Sequence, residues 1–234
     1  MNTILFDLDG TLLEVDKETF VRTYFKSVSS YFSDLTTPEY LMSVFMKGTE
    51  KMVMDNSGKT NKDVFIENMD DMLEDTDKFV ERFDDYYLKE FVKLDYLLQP
   101  KEWMQKSIGL LKEKGYRLVI ATNPMFPDLA VRQRIKWTGL DVEDFNYYPT
   151  YDNHCFTKPH ANFYEEIAEK LDVNPSDCLM VGNDRRDDMV ASKVGMKTYF
   201  LTDQAANYDV NHEITYEGDS KAFYDFVSNL PKIS

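Results

Sequence analysis

The chain has 234 residues, 43% of them hydrophobic, and a formal net charge of −15 from 42 acidic and 27 basic residues. That length and apolar content support one medium domain, or a domain with an insert, and exclude a globally disordered chain. The acidic balance argues against nucleic acid and against anionic membrane surfaces as partners, though not against a small anionic substrate. Two cysteines, Cys155 and Cys178, make no disulfide framework. The first strand pattern begins almost at Met1, without a secretory leader, and no apolar run reaches the ~18 residues that span a bilayer. A cytoplasmic protein is expected.

The first apolar run, Thr3 to Phe6, leads into Asp7-Leu8-Asp9-Gly10-Thr11. Alternate residues of a strand share a face, so Asp7 and Asp9 can converge at a strand end. Two carboxylates there are costly to desolvate unless a cation or a shared proton joins them. Read alone, the fragment is equally an Asx-type turn.

From Asp16 to Leu98 only helical periodicity is visible. Phe20, Tyr24, Phe25, Val28, Tyr31 and Phe32 form the first stripe, and three later stripes follow, with Asn56-Ser57-Gly58 as a loop. A four-helix insert is predicted. Beyond it, strands and helices alternate. A helix over Pro100 to Lys114 precedes a strand from Arg117 to Ala121 that ends in Thr122-Asn123-Pro124. Asp128 to Trp137 is helical, Tyr147 to Tyr151 is a short strand, and Ala161 to Leu171 is helical. A strand over Cys178 to Val181 ends in Gly182-Asn183-Asp184. A helix over Asp187 to Val194 and a strand over Lys197 to Leu201 complete the pattern. Alternation of this kind predicts an α/β fold with a parallel sheet, whose ligands bind beyond the C-terminal strand ends.

Asp7-Leu8-Asp9-Gly10-Thr11 resembles the first motif of the haloacid dehalogenase-like hydrolases. Thr122-Asn123, Lys158-Pro159 and Gly182-Asn183-Asp184 with Asp188 follow in the order of that family's later motifs. The resemblance implies a Rossmann-like catalytic core over residues 1–15 and 99–234, with a helical cap over 16–98. It implies Asp7 as nucleophile, Asp9 as general acid and base, and Lys158 as the phosphate's counter-charge. Thr122 and Asn123 would contact the phosphate. Mg²⁺ would be held by Asp7, the backbone carbonyl of Asp9 and Asp184, supported by Asn183 and Asp188, with Asp187 competing for the role of Asp188. An acid at position 9 fits phosphoryl chemistry, since a halide leaves without a proton.

The function implied is a Mg²⁺-dependent phosphoric monoester hydrolase acting on a small phosphorylated metabolite through an aspartyl-phosphate. A phosphosugar mutase resembling β-phosphoglucomutase and a phospholigand-binding regulatory protein are the alternatives. The substrate and oligomeric state are not legible. Asp7, Asp9, Asp184 and Asp188 carry four negative charges, against three positive from Mg²⁺ and Lys158. Neutrality therefore calls for a proton on Asp9. The pairless His154, Cys155 and His160 read as loop residues, and the acidic run Asp70 to Asp77 as a solvated helix junction.

Overall fold

A computed structural model describes residues 1–233. Its centre is a five-stranded parallel sheet. The strands are β1 (Thr3–Phe6), β4 (Arg117–Ile120), β5 (Cys178–Gly182), β6 (Lys197–Leu201) and β7 (Tyr216–Gly218), in spatial order β4-β1-β5-β6-β7. β1, β4 and β5 are almost wholly buried, which is why they read as continuous apolar runs.

Successive residues of these strands feed opposite faces. Ile4, Phe6, Leu118, Ile120, Leu179 and Val181 join one core, packed under α5 (Glu102–Glu113) and α8 (Ser220–Asn229). Leu5, Val119, Cys178 and Met180 join the other, against Phe163, Tyr164 and Ile167 of α7 (Ala161–Leu171). α6 (Asp128–Trp137) begins after Pro127, as the sequence predicts.

Four helices, α1 (Lys17–Tyr31), α2 (Pro38–Met54), α3 (Asn61–Met72) and α4 (Thr76–Lys89), follow β1, and a 3-10 turn over Phe91–Leu97 closes the run. Each helix starts on a side-chain cap: Asp16, Thr37, Thr60 and Asp75 accept a backbone N–H from the first turn. The run is framed by a feature absent from the sequence reading. β2 (Leu13–Val15) and β3 (Leu98–Pro100) pair antiparallel, so the chain leaves and returns through one ribbon. Three-residue strands are too short to show a period of two.

Two predicted elements differ. Tyr147 to Tyr151 is not a strand: Tyr147 makes a single bridge to Val119, and Pro149, which has no N–H, stops the ladder there. The helix expected from Asp187 is a 3-10 segment over Met189–Val194, because the preceding turn is folded around the Asp184 carboxylate, and Gly195 in the left-handed region ends it. β7 and α8 extend the core beyond the last predicted strand.

His154 is fully buried against Phe163, beside Glu166 at 3.1 Å and with Tyr147 Oη 3.1 Å from its Nδ1. Burial lowers its pKa to about 4. It is therefore neutral in the folded protein at pH 7, and acid must charge it against its surroundings. Its stabilising share is complete above the unfolded value near 6.5 and fades as pH falls toward 4, by about 3 kcal/mol in all. Urea unfolding from pH 7 to pH 4 should show this loss, and His154→Gln should flatten that stretch of the curve.

Candidate active site

β1 lies between β4 and β5, so the residues that follow these three strands meet at one edge of the sheet. Asp7 follows Phe6 directly, and its backbone N–H donates to Val181 O at 2.9 Å. Thr122 and Asn123 leave β4 on one side of it, and Asn183 and Asp184 leave β5 on the other. Leu8 turns into the core and is fully buried. Asp7, Asp9, Thr122, Asn123, Lys158, Asp184, Asp187 and Asp188 all border one partly open cavity of about 420 Å³ between the sheet edge and the four-helix unit.

Lys158 is the hub. Its Nζ donates to Asp7 Oδ1 at 2.9 Å and to Asp188 Oδ1 at 2.6 Å, and the residue is 4% exposed. Burial works to strip its proton, but Asp188 and Asp7 outweigh that and hold the ammonium well above the ordinary lysine value. Asn123 Oδ1 accepts the Lys158 backbone N–H at 3.3 Å, so Asn123 braces the lysine as well as bordering the cavity.

Asp188 rather than Asp187 is the acid built into this network. Asp188 is fully buried, and its Oδ2 accepts the Asp184 N–H at 2.9 Å. Burial pushes its carboxyl upward while Lys158 pulls it back. Asp187 is partly exposed and pairs with Arg186. Two glycines make room for this packing. A Cβ on Gly182 would lie 2.1 Å from Asp188 Oδ2, and one on Gly10, whose φ is +85°, would lie 2.3 Å from Asn183 Nδ2.

Asn183 Oδ1 accepts from Thr11 Oγ1 at 3.2 Å and its Nδ2 donates to Gln204 O at 2.6 Å, so it locks the loop after β1 to the loop after β6. Thr11 Oγ1 also lies 3.3 Å from Asp7 Oδ2.

Asp184 is 5% exposed, and burial raises its carboxyl above the usual carboxylate value. Its Oδ1 accepts the N–H groups of Arg186 and Asp187, each at 2.9 Å, while its Oδ2 has no protein donor among the described residues. The Asp9 carbonyl oxygen likewise accepts no hydrogen bond. No group of three or more His, Cys, Asp or Glu side chains forms a metal cage among the described residues. The donors on offer are two carboxylates, Asp7 and Asp184, and one carbonyl. That sparse all-oxygen set suits a hard cation that keeps waters and shares a substrate oxygen, and no soft or cage-bound metal.

Two participants escaped the sequence reading. Arg134, on α6 and 3% exposed, donates through Nη2 to Asp9 Oδ2, and its guanidinium lies 5.2 Å from the centre of the Phe126 ring. The signal was present: Arg134 lies on the stripe of Ala130, Val131 and Ile135, where a charge needs a partner. Its charge revises the count, since Lys158, Arg134 and a divalent ion balance four carboxylates without a proton on Asp9. Lys101, after β3, donates to Gly10 O at 2.6 Å and ties the returning ribbon to the loop after β1. His154, Cys155 and His160 do not converge: His160 bonds Val53 O and Cys155 Sγ bonds Gly58 O.

The family model for haloacid dehalogenase-like hydrolase matches residues 1–195. A pyrophosphatase PpaX from Anoxybacillus flavithermus is 27% identical over 223 residues, covering 94% of this chain and 91% of that protein. Among solved structures, a HAD phosphatase from Thermococcus onnurineus superposes with a TM-score of 0.63 at 21% identity over the whole of both chains. A predicted phosphoglycolate phosphatase from Haemophilus somnus gives 0.59 at 23% identity, covering 97% of each chain. At such identities the two superpositions speak to the fold alone, and the family rests on the match across most of the sequence. The chain belongs to the haloacid dehalogenase-like hydrolase family.

Proposed function

We propose that this hydrolase is a Mg²⁺-dependent phosphatase that releases phosphate from a small phosphorylated metabolite through an aspartyl-phosphate on Asp7. The carrying observation is the Asp7–Lys158–Asp188 network at the floor of the cavity, with Asp9 held beside it by Arg134. The names of the relatives, a pyrophosphatase and a phosphoglycolate phosphatase, point the same way.

In this reading an Asp7 carboxylate oxygen attacks phosphorus while the ester P–O bond breaks. Asp9 gives a proton to the leaving oxygen. A water then attacks the phosphorus, Asp9 takes the water's proton, and the bond to Asp7 breaks to free phosphate. Arg134 orients Asp9 for both transfers. The proton that Asp9 passes to the leaving oxygen is taken up from solvent water as the substrate dianion adds two negative charges to the site.

Lys158 offsets charge on the transferring group, Thr122 offers its hydroxyl to a phosphate oxygen, and Asn123 holds Lys158 in place. Mg²⁺ between Asp7, Asp184 and the Asp9 carbonyl would supply a further counter-charge for the phosphoryl oxygens. Residues 16–98 serve as a cap that excludes bulk water from the cavity. The apolar wall of that cavity disfavours the mutase alternative, because a sugar ring needs hydroxyl partners there.

Phosphate release from a panel of phosphomonoesters should require Mg²⁺ and stop with excess EDTA. Asp7→Asn should lower kcat by at least roughly a thousandfold, and Asp9→Asn by about 10²–10⁴-fold, with folding intact by circular dichroism. Phosphate release by Asp7→Asn at the wild-type rate would refute the covalent mechanism.

Arg134→Met should lower kcat on the order of tenfold to a hundredfold and change KM little, as steady-state kinetics would show. Lys158→Met should cost about 3–5 kcal/mol in urea unfolding, because it leaves buried carboxylates facing one another. Adding Asp188→Asn to that variant should recover part of the loss.

A further inference from the structure

The cavity above Asp7 is built for something other than a second anion. At about 420 Å³ it far exceeds a phosphoryl group and falls within the range of small-molecule sites, about 300–1,000 Å³. Its polar groups gather at the sheet edge, and nearly all of the remaining wall is aromatic or aliphatic.

That wall is pre-formed. Phe45 packs edge-on against Phe25, Phe65 and Phe83, with ring centres 5.7, 5.7 and 5.1 Å apart. Rings held by one another in this way keep their positions without a ligand. The hydroxyls of Tyr24 and Tyr87 are hydrogen-bonded together at 2.7 Å, so one of their two O–H donors is already spent within the pair.

Cations are scarce here. Among the described residues, Lys17 and Lys158 are the only cations on the wall, and Lys158 is already taken by Asp7 and Asp188. Arg134 is committed to Asp9 and does not border the cavity. A second phosphate, or a carboxylate near the ester, would therefore meet one exposed lysine and a ring of carbon. Burying such an anion without a partner is strongly unfavourable, whereas burying an alkyl or aryl group there is favourable.

We propose that the substrate is a phosphate monoester whose leaving alcohol carries an uncharged apolar or aromatic body, seated against the Phe25, Phe45, Phe65 and Phe83 wall. The inference rests on the phosphatase reading and narrows it. It also separates this chain from the anionic substrates named for its relatives.

The test is the specificity constant for ethyl, butyl, hexyl and 2-phenylethyl phosphate, alongside phosphoglycolate and pyrophosphate, measured with Mg²⁺ by phosphate release. The leaving alcohols of the alkyl series have similar basicity, so the chemical step is held nearly constant. The expected result is a rise in kcat/KM of about threefold to fourfold per methylene, with 2-phenylethyl phosphate at least about tenfold above ethyl phosphate and both phosphoglycolate and pyrophosphate below hexyl phosphate.

A flat or falling series, or preference for pyrophosphate or phosphoglycolate, overturns the inference while leaving the phosphatase intact. Silence from every compound overturns the phosphatase reading and this inference with it. Thr49 borders the cavity and is half-buried. Thr49→Asp should flatten the alkyl series and the isosteric Thr49→Val should keep or steepen it. An unchanged slope in Thr49→Asp counts against the proposal.

Discussion

The buried ammonium of Lys158 is the interaction on which the arrangement depends. Asp7 and Asp188 lie far apart in the sequence and are brought together at the sheet edge, where two unpaired carboxylates would repel and resist desolvation. One cation between them makes that convergence tolerable. Its backbone is fixed by Asn123, and Asp188 in turn fixes the backbone of Asp184. A local electrostatic requirement thus connects the ends of β1, β4 and β5 with the loop before α7.

The same reasoning extends to Arg134. Asp9 borders the cavity and needs a charge partner, and α6 supplies one from its buried face. The site therefore has two carboxylate–cation pairings with different geometry. Lys158 offers a compact charge that bridges two acids, and Arg134 offers a planar guanidinium to one. This division gives Asp7 and Asp9 separate electrostatic surroundings although they lie two residues apart. Lys101, binding Gly10 O, couples the same loop to the ribbon through which the helical unit is attached.

Above this charged floor stands a wall of the opposite character. The aromatic rings of the four helices pack against one another, and most of them also line the cavity. A dry wall strengthens every electrostatic interaction at the floor by keeping water away. The contrast between floor and wall separates charged residues of the sheet edge from the apolar side chains of the helices.

The long periodic segments were legible in the sequence because buried parallel strands read as unbroken apolar runs, and amphipathic helices read as stripes. Hence β1, β4, β5, β6 and α5 to α7 appear within a few residues of where periodicity puts them, and the four stripes of the insert each fall on a helix, α1 to α4. The short ribbon of β2 and β3, the missing strand at Tyr147 and the 3-10 segment after Asp188 were not legible, since each is decided by a hydrogen-bond partner far away in the chain. At the site, the residue types and their strand-end placement were fixed by local sequence. Which of Asp187 and Asp188 turns inward, that Arg134 holds Asp9, and that Asn183 bonds Thr11 and Gln204 were decided by packing alone. Charge pairing across 125 residues leaves no periodic trace, because it depends on which buried groups end up facing one another once the sheet has formed.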